Sequence, residues 1–153
     1  MNNEFFKKPA FFALCAILLS FLALSYSVSS VSAGGIMGLS VSFTGIRIAG
    51  EFEGIDILLW LIPIAAGFLI FAMAKPEHNL ASEKNVKIVK IVLLSASAFF
   101  WVRYMFLIGG TQEAGPIKVD VNNSAGVGMW LTLFAAVFVQ FEEQIMAMVN
   151  KKK

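Results

Sequence analysis

Arg103 is the residue of this sequence with the strongest claim to a chemical role, because it interrupts the uncharged run FFWVRYMFLIGG (99–110). A charge inside a membrane segment is a candidate functional site. The position is shallow, at about 7.5 Å from the outer end of its predicted span, and a long arginine side chain reaches the interface from there. Arginine also releases no proton in a relay, since its pKa is above about 12. We therefore predict a structural ion pair between Arg103 and Asp56, which begins the preceding span.

The other titratable side chains do not form a reactive set. Glu142 and Glu143 are adjacent and point about 100° apart on a helix, so they do not converge on one ion. A metal site uses three or four ligands, whereas the chain has one histidine, His78, and one cysteine, Cys15. No Ser/His/Asp set and no glycine-rich phosphate loop is present. The sequence therefore predicts no enzyme, no catalytic residue, no metal and no cofactor.

The composition is that of a membrane protein. Of 153 residues, 58% are hydrophobic and 14% are charged, whereas about a quarter of the residues of a soluble domain are charged. The formal net charge of +2 is too small to indicate nucleic-acid binding. The single cysteine allows no internal disulfide. The lipid bilayer is the expected surrounding of most of this chain.

Four apolar segments are long enough to cross a hydrocarbon layer of about 30 Å. They predict spans at about 9–30, 56–74, 86–108 and 126–145, with outer loops 31–55 and 109–125 and a cytoplasmic loop 75–85, in a single membrane domain of residues 1–153. The first span also resembles a secretory signal, with Lys7 and Lys8 before it and VSSVSAGG at its end. Its apolar stretch exceeds the usual length of about 15 residues, so we predict a retained helix.

The lysines predict the orientation. Nine of the ten lysines fall on the side that holds both termini and the 75–85 loop, at positions 7, 8, 75, 84, 87, 90 and 151–153. The opposite side holds only Arg47 and Lys118 among the basic residues outside the spans. By the positive-inside rule both termini are cytoplasmic. The predicted location is a multi-pass protein of the plasma (cytoplasmic) membrane.

Both outer loops contain strand patterns. Leu39, Val41 and Phe43 alternate with small polar residues, which is typical of a half-buried strand. Thr44-Gly45 is a candidate turn, after which Ile46 and Ile48 would form the return strand of a hairpin. In the second loop, Ile117, Val119 and Val121 alternate in the same way. We predict an extracytoplasmic sheet of at least three strands from both loops, with disordered loops as the alternative.

Small and polar residues recur every four positions along the last span, at Gly128, Thr132, Ala136 and Gln140. Such ridges let helix backbones approach closely. The pattern predicts a helix-packing ridge, and leaves open whether its partner is a helix of the same chain or of another copy.

This plan of four spans, cytoplasmic termini and a strand-bearing first outer loop resembles that of the claudin-type tetraspan proteins. The resemblance is one of topology, because the family's loop signature of tryptophan, Gly-Leu-Trp and a cysteine pair is absent, and Gly38-Leu39 is followed by Ser40. The segment GVGMWLTLFAA (126–136) is similar to small bacterial four-span proteins. The resemblance implies an all-α, four-helix transmembrane bundle with a small outer sheet.

By elimination, the sequence predicts a non-catalytic structural or accessory membrane protein. It would act through helix packing and through an outer β-rich surface, either as a homo-oligomer or as a subunit of a membrane complex, without a nucleic-acid partner. The alternative is an oligomeric small channel or holin-like pore. A pore predicts ion flux in liposomes, whereas an assembly protein predicts none.

Overall fold

The computed structural model describes residues 8–33, 37–51, 54–107, 109–114 and 117–150. The helices are α1 (Pro9–Ala23), α2 (Gly45–Gly50), α3 (Leu61–Ala74), α4 (Glu83–Val102) and α5 (Val127–Asn150). A 3-10 helix, Gly54–Trp60, leads into α3, another lies at Asn79–Ala81, and a π-helical turn, Arg103–Leu107, follows α4. The strands are β1 (Ser25–Ala33), β2 (Met37–Thr44), β3 (Gly109–Ala114) and β4 (Ile117–Ala125).

Three helical segments are long and apolar enough to cross a membrane: Gly54–Ala74, Glu83–Phe106 and Val127–Val149. Helix α1 is equally apolar in character but has 15 residues, which is about 22 Å of helix. Length and composition therefore favour membrane association for this chain.

Large apolar side chains lie on the outer surface of the bundle as well as in its interior. Leu14 and Ile17 of α1, Ile62 of α3, Leu93 of α4 and Val139 of α5 are fully buried where the helices meet. Large apolar side chains also face outward on each of these helices, among them Phe12, Leu19, Ile64, Ile91 and Phe134. A water-facing surface would carry polar residues on the outer helix faces, so this distribution suits a lipid environment.

Helix α1 ends seven residues before the predicted end of the first span at residue 30. Leu24 is already extended, with φ −100° and ψ 156°, and Ser25 begins β1. The segment SYSVSSVSA (25–33) is rich in serine, which competes for helical hydrogen bonds, and in valine, which favours strands. Neighbouring strands on both sides satisfy its backbone groups.

The sheet from both predicted outer loops is confirmed, and it has four antiparallel strands in the order β2-β1-β4-β3. Leu39, Val41 and Phe43 lie in β2, and residues 117, 119 and 121 lie in β4, as predicted. The first hairpin joins β1 to β2, so its first strand comes from the segment that we predicted as the end of the first span. Strand β3 was not predicted.

The prediction of a return strand at Ile46 and Ile48 is wrong, because both residues lie in helix α2. The Thr44 hydroxyl accepts a hydrogen bond from the Arg47 backbone N–H at 3.4 Å, which is the geometry of a helix N-cap. Since β1 pairs with β2 along its length, a return strand is not needed. Helix α2 instead folds back onto the bundle, where Ala49 is buried.

Candidate functional site: the outer sheet and its joint with the helices

Arg103 and Asp56 meet near the outer end of the bundle. The Arg103 Nε donates to Asp56 Oδ1 at 3.2 Å, and Nη2 donates to Oδ2 at 3.4 Å. The hydroxyl of the buried Tyr104 donates to the same Oδ1 at 3.3 Å. Two adjacent residues reach one carboxylate because they lie in the π-helical turn, which changes the direction of successive side chains relative to an α-helix.

This cluster joins the segment that precedes α3 to the segment that follows α4. Asp56 lies in the 3-10 helix before α3, and Arg103 follows α4, so the pair ties the outer ends of these helices together. Both side chains are about one quarter exposed, at 25% and 27%. The carboxylate accepts three hydrogen bonds from its neighbours, which occupies it. The geometry is that of a structural tie.

A second polar cluster connects the sheet to the helices from within the core. The Thr132 Oγ1 lies 2.9 Å from Ser20 Oγ and 2.5 Å from the Tyr26 hydroxyl. All three side chains are at most 1% exposed, and Ser20 also donates to the Ile17 carbonyl at 2.9 Å. Buried hydroxyls are stable when each has a partner, so α1, β1 and α5 are held in one arrangement.

A bulge places Tyr26 in this cluster. The register between β1 and β2 shifts between Ser25 and Ser27, and such a bulge re-aims the side chain beside it. The Tyr26 ring packs edge-on against Phe21 at 5.5 Å between centroids. The Gly126 backbone N–H donates to the Tyr26 carbonyl at 2.9 Å, so the chain enters α5 directly beside the bulge.

Two glycines allow this close approach. A Cβ at Gly126 would lie 2.2 Å from the Ser25 carbonyl oxygen, and a Cβ at Gly128 would lie 2.9 Å from the Leu24 Cβ. Both distances are shorter than real Cβ contacts allow. The start of α5 therefore crosses the start of β1 backbone to backbone, and the sheet is fixed on the bundle at this joint.

The predicted ridge of α5 faces the interior of this chain. Gly128, Thr132 and Ala136 are buried, and the first two contact the α1–β1 region. Gln140 continues the row, and its Oε1 is buried without a hydrogen-bond partner among the described residues. At Gly128, Thr132 and Ala136 the ridge thus packs within the chain, a point that the sequence left open. Gln140 lines a groove between α4 and α5.

Beyond the joint, residues 38–42 of strand β2 are exposed. By register, one face carries Leu39, Val41 and Phe43 of β2 together with Ser29 and Val31 of β1. Phe43, near the base, is covered by the Arg47 guanidinium at 5.2 Å from the ring centroid. Farther out, Leu39 is 72% exposed and Val41 is 49% exposed. Strand β2 is also an edge of the sheet, so apolar side chains and unpaired backbone coincide there.

The opposite face of the same strands is mainly polar, with the half-buried Val28 of β1 between Ser42 and Ser124. It carries Ser40 and Ser42 of β2, Ser30 of β1, and Asn122 and Ser124 of β4, all of them exposed. The Ser30 hydroxyl donates to the Asn122 carbonyl at 3.2 Å. One face of the free edge is therefore suited to contact with protein, and the other to water.

The remaining candidates lie at the other end of the bundle and do not converge. The His78 Nδ1 accepts from the Leu80 N–H at 3.2 Å, within its own turn. The Glu142 Oε1 accepts from the Ala10 N–H at 3.2 Å, at the start of α1, while Glu143 is exposed. Within the described ranges, no group of three or more His, Cys, Asp or Glu side chains could hold a metal ion.

Comparison with known proteins yields no relative. The sequence matches no protein-family model, and no curated protein or solved structure is significantly similar to it. The likeness to the claudin plan therefore stays a prediction, and function has to be inferred from the geometry alone.

Proposed function

We propose that this chain is a non-catalytic integral membrane protein whose outer sheet assembles it with further copies or with a membrane partner. In this proposal α1, α3, α4 and α5 all cross the bilayer, both termini are cytoplasmic, and the sheet stands on the outer side. The observation that carries the proposal is the β2 edge, where Leu39 and Val41 are exposed on a strand that has no outer neighbour among the described residues.

An edge strand is a template for pairing with another chain. Two copies of β2 related by a two-fold axis would run antiparallel, which is the arrangement of a closed, isologous dimer. Apolar contacts between the two Leu39/Val41 faces would add to the backbone hydrogen bonds. Self-assembly at this edge is therefore the simplest use of the surface.

The helices give less support to the pore alternative. Ser20, Ser97 and Thr132 are buried and hydrogen-bonded within the bundle. Side chains committed to internal bonds do not line a channel between copies. The apolar outer faces of the helices suit contact with lipid or with other apolar helices.

Native mass spectrometry of the gently extracted protein tests the proposal. We expect a dimer or larger homo-oligomer from the unmodified chain, and mainly monomer from Leu39→Lys, because a lysine at an exposed edge prevents strand pairing. The matched control is Ser30→Lys, which adds the same charge to the polar face of the inner strand β1. This control should leave the oligomer intact.

The outcomes separate the possible roles. A monomer bound to a different membrane protein, released by Leu39→Lys, would indicate an accessory subunit that uses the same surface. An oligomer insensitive to Leu39→Lys, or a lone monomer at all concentrations, would refute assembly through the β2 edge. Ion flux through liposomes that contain the purified protein would favour the pore.

A further inference from the structure

Helix α4 carries a basic patch at its cytoplasmic end that continues into an apolar groove. Two basic grooves, of about 440 Å³ and 260 Å³, share Lys87 and Ile91. The first is also lined by Lys84, and the second by Lys90. Ile91, which is 55% exposed, also lines the apolar groove. The basic and apolar surfaces are therefore continuous at this residue.

The apolar groove lies between α4 and the segment that leads into α3, and has a volume of about 440 Å³. Leu58 and Leu61 line one side, and Phe99 lines the other. Ser95 and Ala96 lie between them on α4, and their small side chains give the groove its depth. The outer face of α4 thus carries an open apolar groove between Ile91 and Phe99.

The charges of the basic patch do not cancel. Lys87 Nζ pairs with Glu83 Oε1 at 2.5 Å, whereas Lys84 and Lys90 have no ion pair among the described residues. The carboxylates that line the same two grooves are Glu83 and Glu143. Lys90 also lines a neighbouring groove together with Lys8, Glu142 and Glu143. With that groove included, four ammonium groups face three carboxylates, which leaves one positive charge that a single phosphodiester would neutralise.

We propose that this face of α4 binds one anionic phospholipid of the cytoplasmic leaflet, with its phosphate among Lys84, Lys87 and Lys90 and an acyl chain in the groove. The site rests on the proposed membrane location of the chain. From Lys87 to Phe99 the helix rises about 18 Å, which is enough to extend from the headgroup region across one leaflet, about half of a hydrocarbon core of about 30 Å. Basic pockets beside transmembrane helices on the cytoplasmic side are typical sites for anionic headgroups.

Lipid titration followed by native mass spectrometry tests the site on the full-length, delipidated protein. We expect one phosphatidylglycerol to bind more tightly than phosphatidylcholine. Lys84→Gln/Lys87→Gln should weaken phosphatidylglycerol binding about 25-fold, because each lysine near an anionic surface contributes about 5-fold to the affinity. Lys75→Gln, an exposed lysine that lines none of these grooves, should leave affinity unchanged.

A second pair of variants tests the acyl groove. Ser95→Phe fills the groove from an exposed position and should weaken phosphatidylglycerol binding, whereas Ile64→Phe adds bulk to exposed α3 surface outside it and should not. Equal affinity for the two lipids, or equal effects of Lys75→Gln and Lys84→Gln/Lys87→Gln, would overturn the proposal. Competition by glycerol phosphate at the concentrations where the lipid binds would show a phosphate site without an acyl component and would also overturn it.

The same spectra keep this inference separate from the assembly proposal. Oligomer loss in Leu39→Lys reports on the outer sheet, and lipid occupancy reports on α4. A protein that a carbonate wash releases from cell membranes would refute the membrane location itself, on which both proposals depend.

Discussion

At the scale of single residues, two polar contacts hold the molecule together between segments far apart in sequence. Asp56 and Arg103 join α3 to α4 at the outer end, and Tyr26 joins β1 to α5 through Thr132. In the proposed membrane location, packing and hydrogen bonds would carry the specificity of helix association. These contacts therefore determine which helix ends lie side by side.

Replacement of Arg103 tests the first contact. Removing one member of a buried ion pair costs about 3–5 kcal/mol, and an exposed pair contributes about 0–1 kcal/mol. At one quarter exposure we expect Arg103→Leu to lower the unfolding free energy by about 1–2 kcal/mol. The apparent Tm in detergent should fall by about 5 °C.

A double-mutant cycle isolates the pair from the packing of the arginine stem. In the Asp56→Asn background, Arg103→Leu should cost clearly less than in the unmodified chain. Additive effects of the two substitutions would show that Arg103 stabilises the bundle without Asp56, and would contradict the structural tie.

At the scale of elements, the joint between β1 and α5 decides where the sheet stands. The bulge at Tyr26, the hydroxyl cluster and the two glycines all lie at this crossing. Trp60 adds a further connection, since its Nε1 donates to the Ala49 carbonyl at 3.1 Å and holds α2 against the bundle. The orientation of the β2 edge, and with it the proposed interface, depends on these contacts.

Gly126→Ala is the sharpest change to this joint. The new Cβ would lie 2.2 Å from a backbone oxygen, and backbone has little freedom to move away. Overpacking of this kind costs about 1–3 kcal/mol, so we expect a clear loss of thermal stability in detergent. The matched control is Gly67→Ala in α3, where nothing lies within 4 Å of the new Cβ.

The control substitution also has an expected effect on stability. Alanine is a better helix former than glycine by about 0.5–1 kcal/mol, so Gly67→Ala should be neutral or slightly stabilising. If Gly126→Ala were as stable as Gly67→Ala, the backbone crossing between β1 and α5 would not be as tight as described.

At the scale of the whole molecule, the distribution of charge predicts how the chain lies in the membrane. The sheet and the lysine-rich ends of the helices occupy opposite ends of the bundle. Among the described residues, Lys8, Lys75, Lys84, Lys87 and Lys90 lie at the lysine-rich end, and Lys118 lies in β4. Cysteine labelling tests the orientation, because the chain has one cysteine, Cys15, that serine can replace.

In a Cys15→Ser background, we expect Ser42→Cys to react with a membrane-impermeant maleimide added to intact cells. Lys75→Cys, at the opposite end, should react only after permeabilisation. Both positions are exposed, so access to the side chain is matched. The reverse labelling pattern would place the sheet in the cytoplasm and would contradict the positive-inside interpretation.

Several features follow from the sequence alone because they depend on local pattern. The apolar stretches predict the helices 54–74, 83–106 and 127–149 to within a few residues at most ends, since hydrocarbon thickness sets their length. Alternation at Leu39, Val41 and Phe43 predicts β2, because a strand with period two exposes alternate residues on one face. Arg103 and Asp56 could be paired because both were expected at the same depth.

Tertiary structure alone decided the rest, because those features depend on partners distant in the chain. Residues 25–33 form a strand since β2 and β4 lie on either side of them, and their serines and valines alone fit the end of an apolar span equally well. Ile46 and Ile48 alternate as a strand would, yet the Thr44 cap and the bundle surface favour a helix there. Thr132 is hydrogen-bonded to Tyr26, which lies 106 positions away in the sequence. Residue 126 has to be glycine because the Ser25 backbone lies against it in the folded molecule.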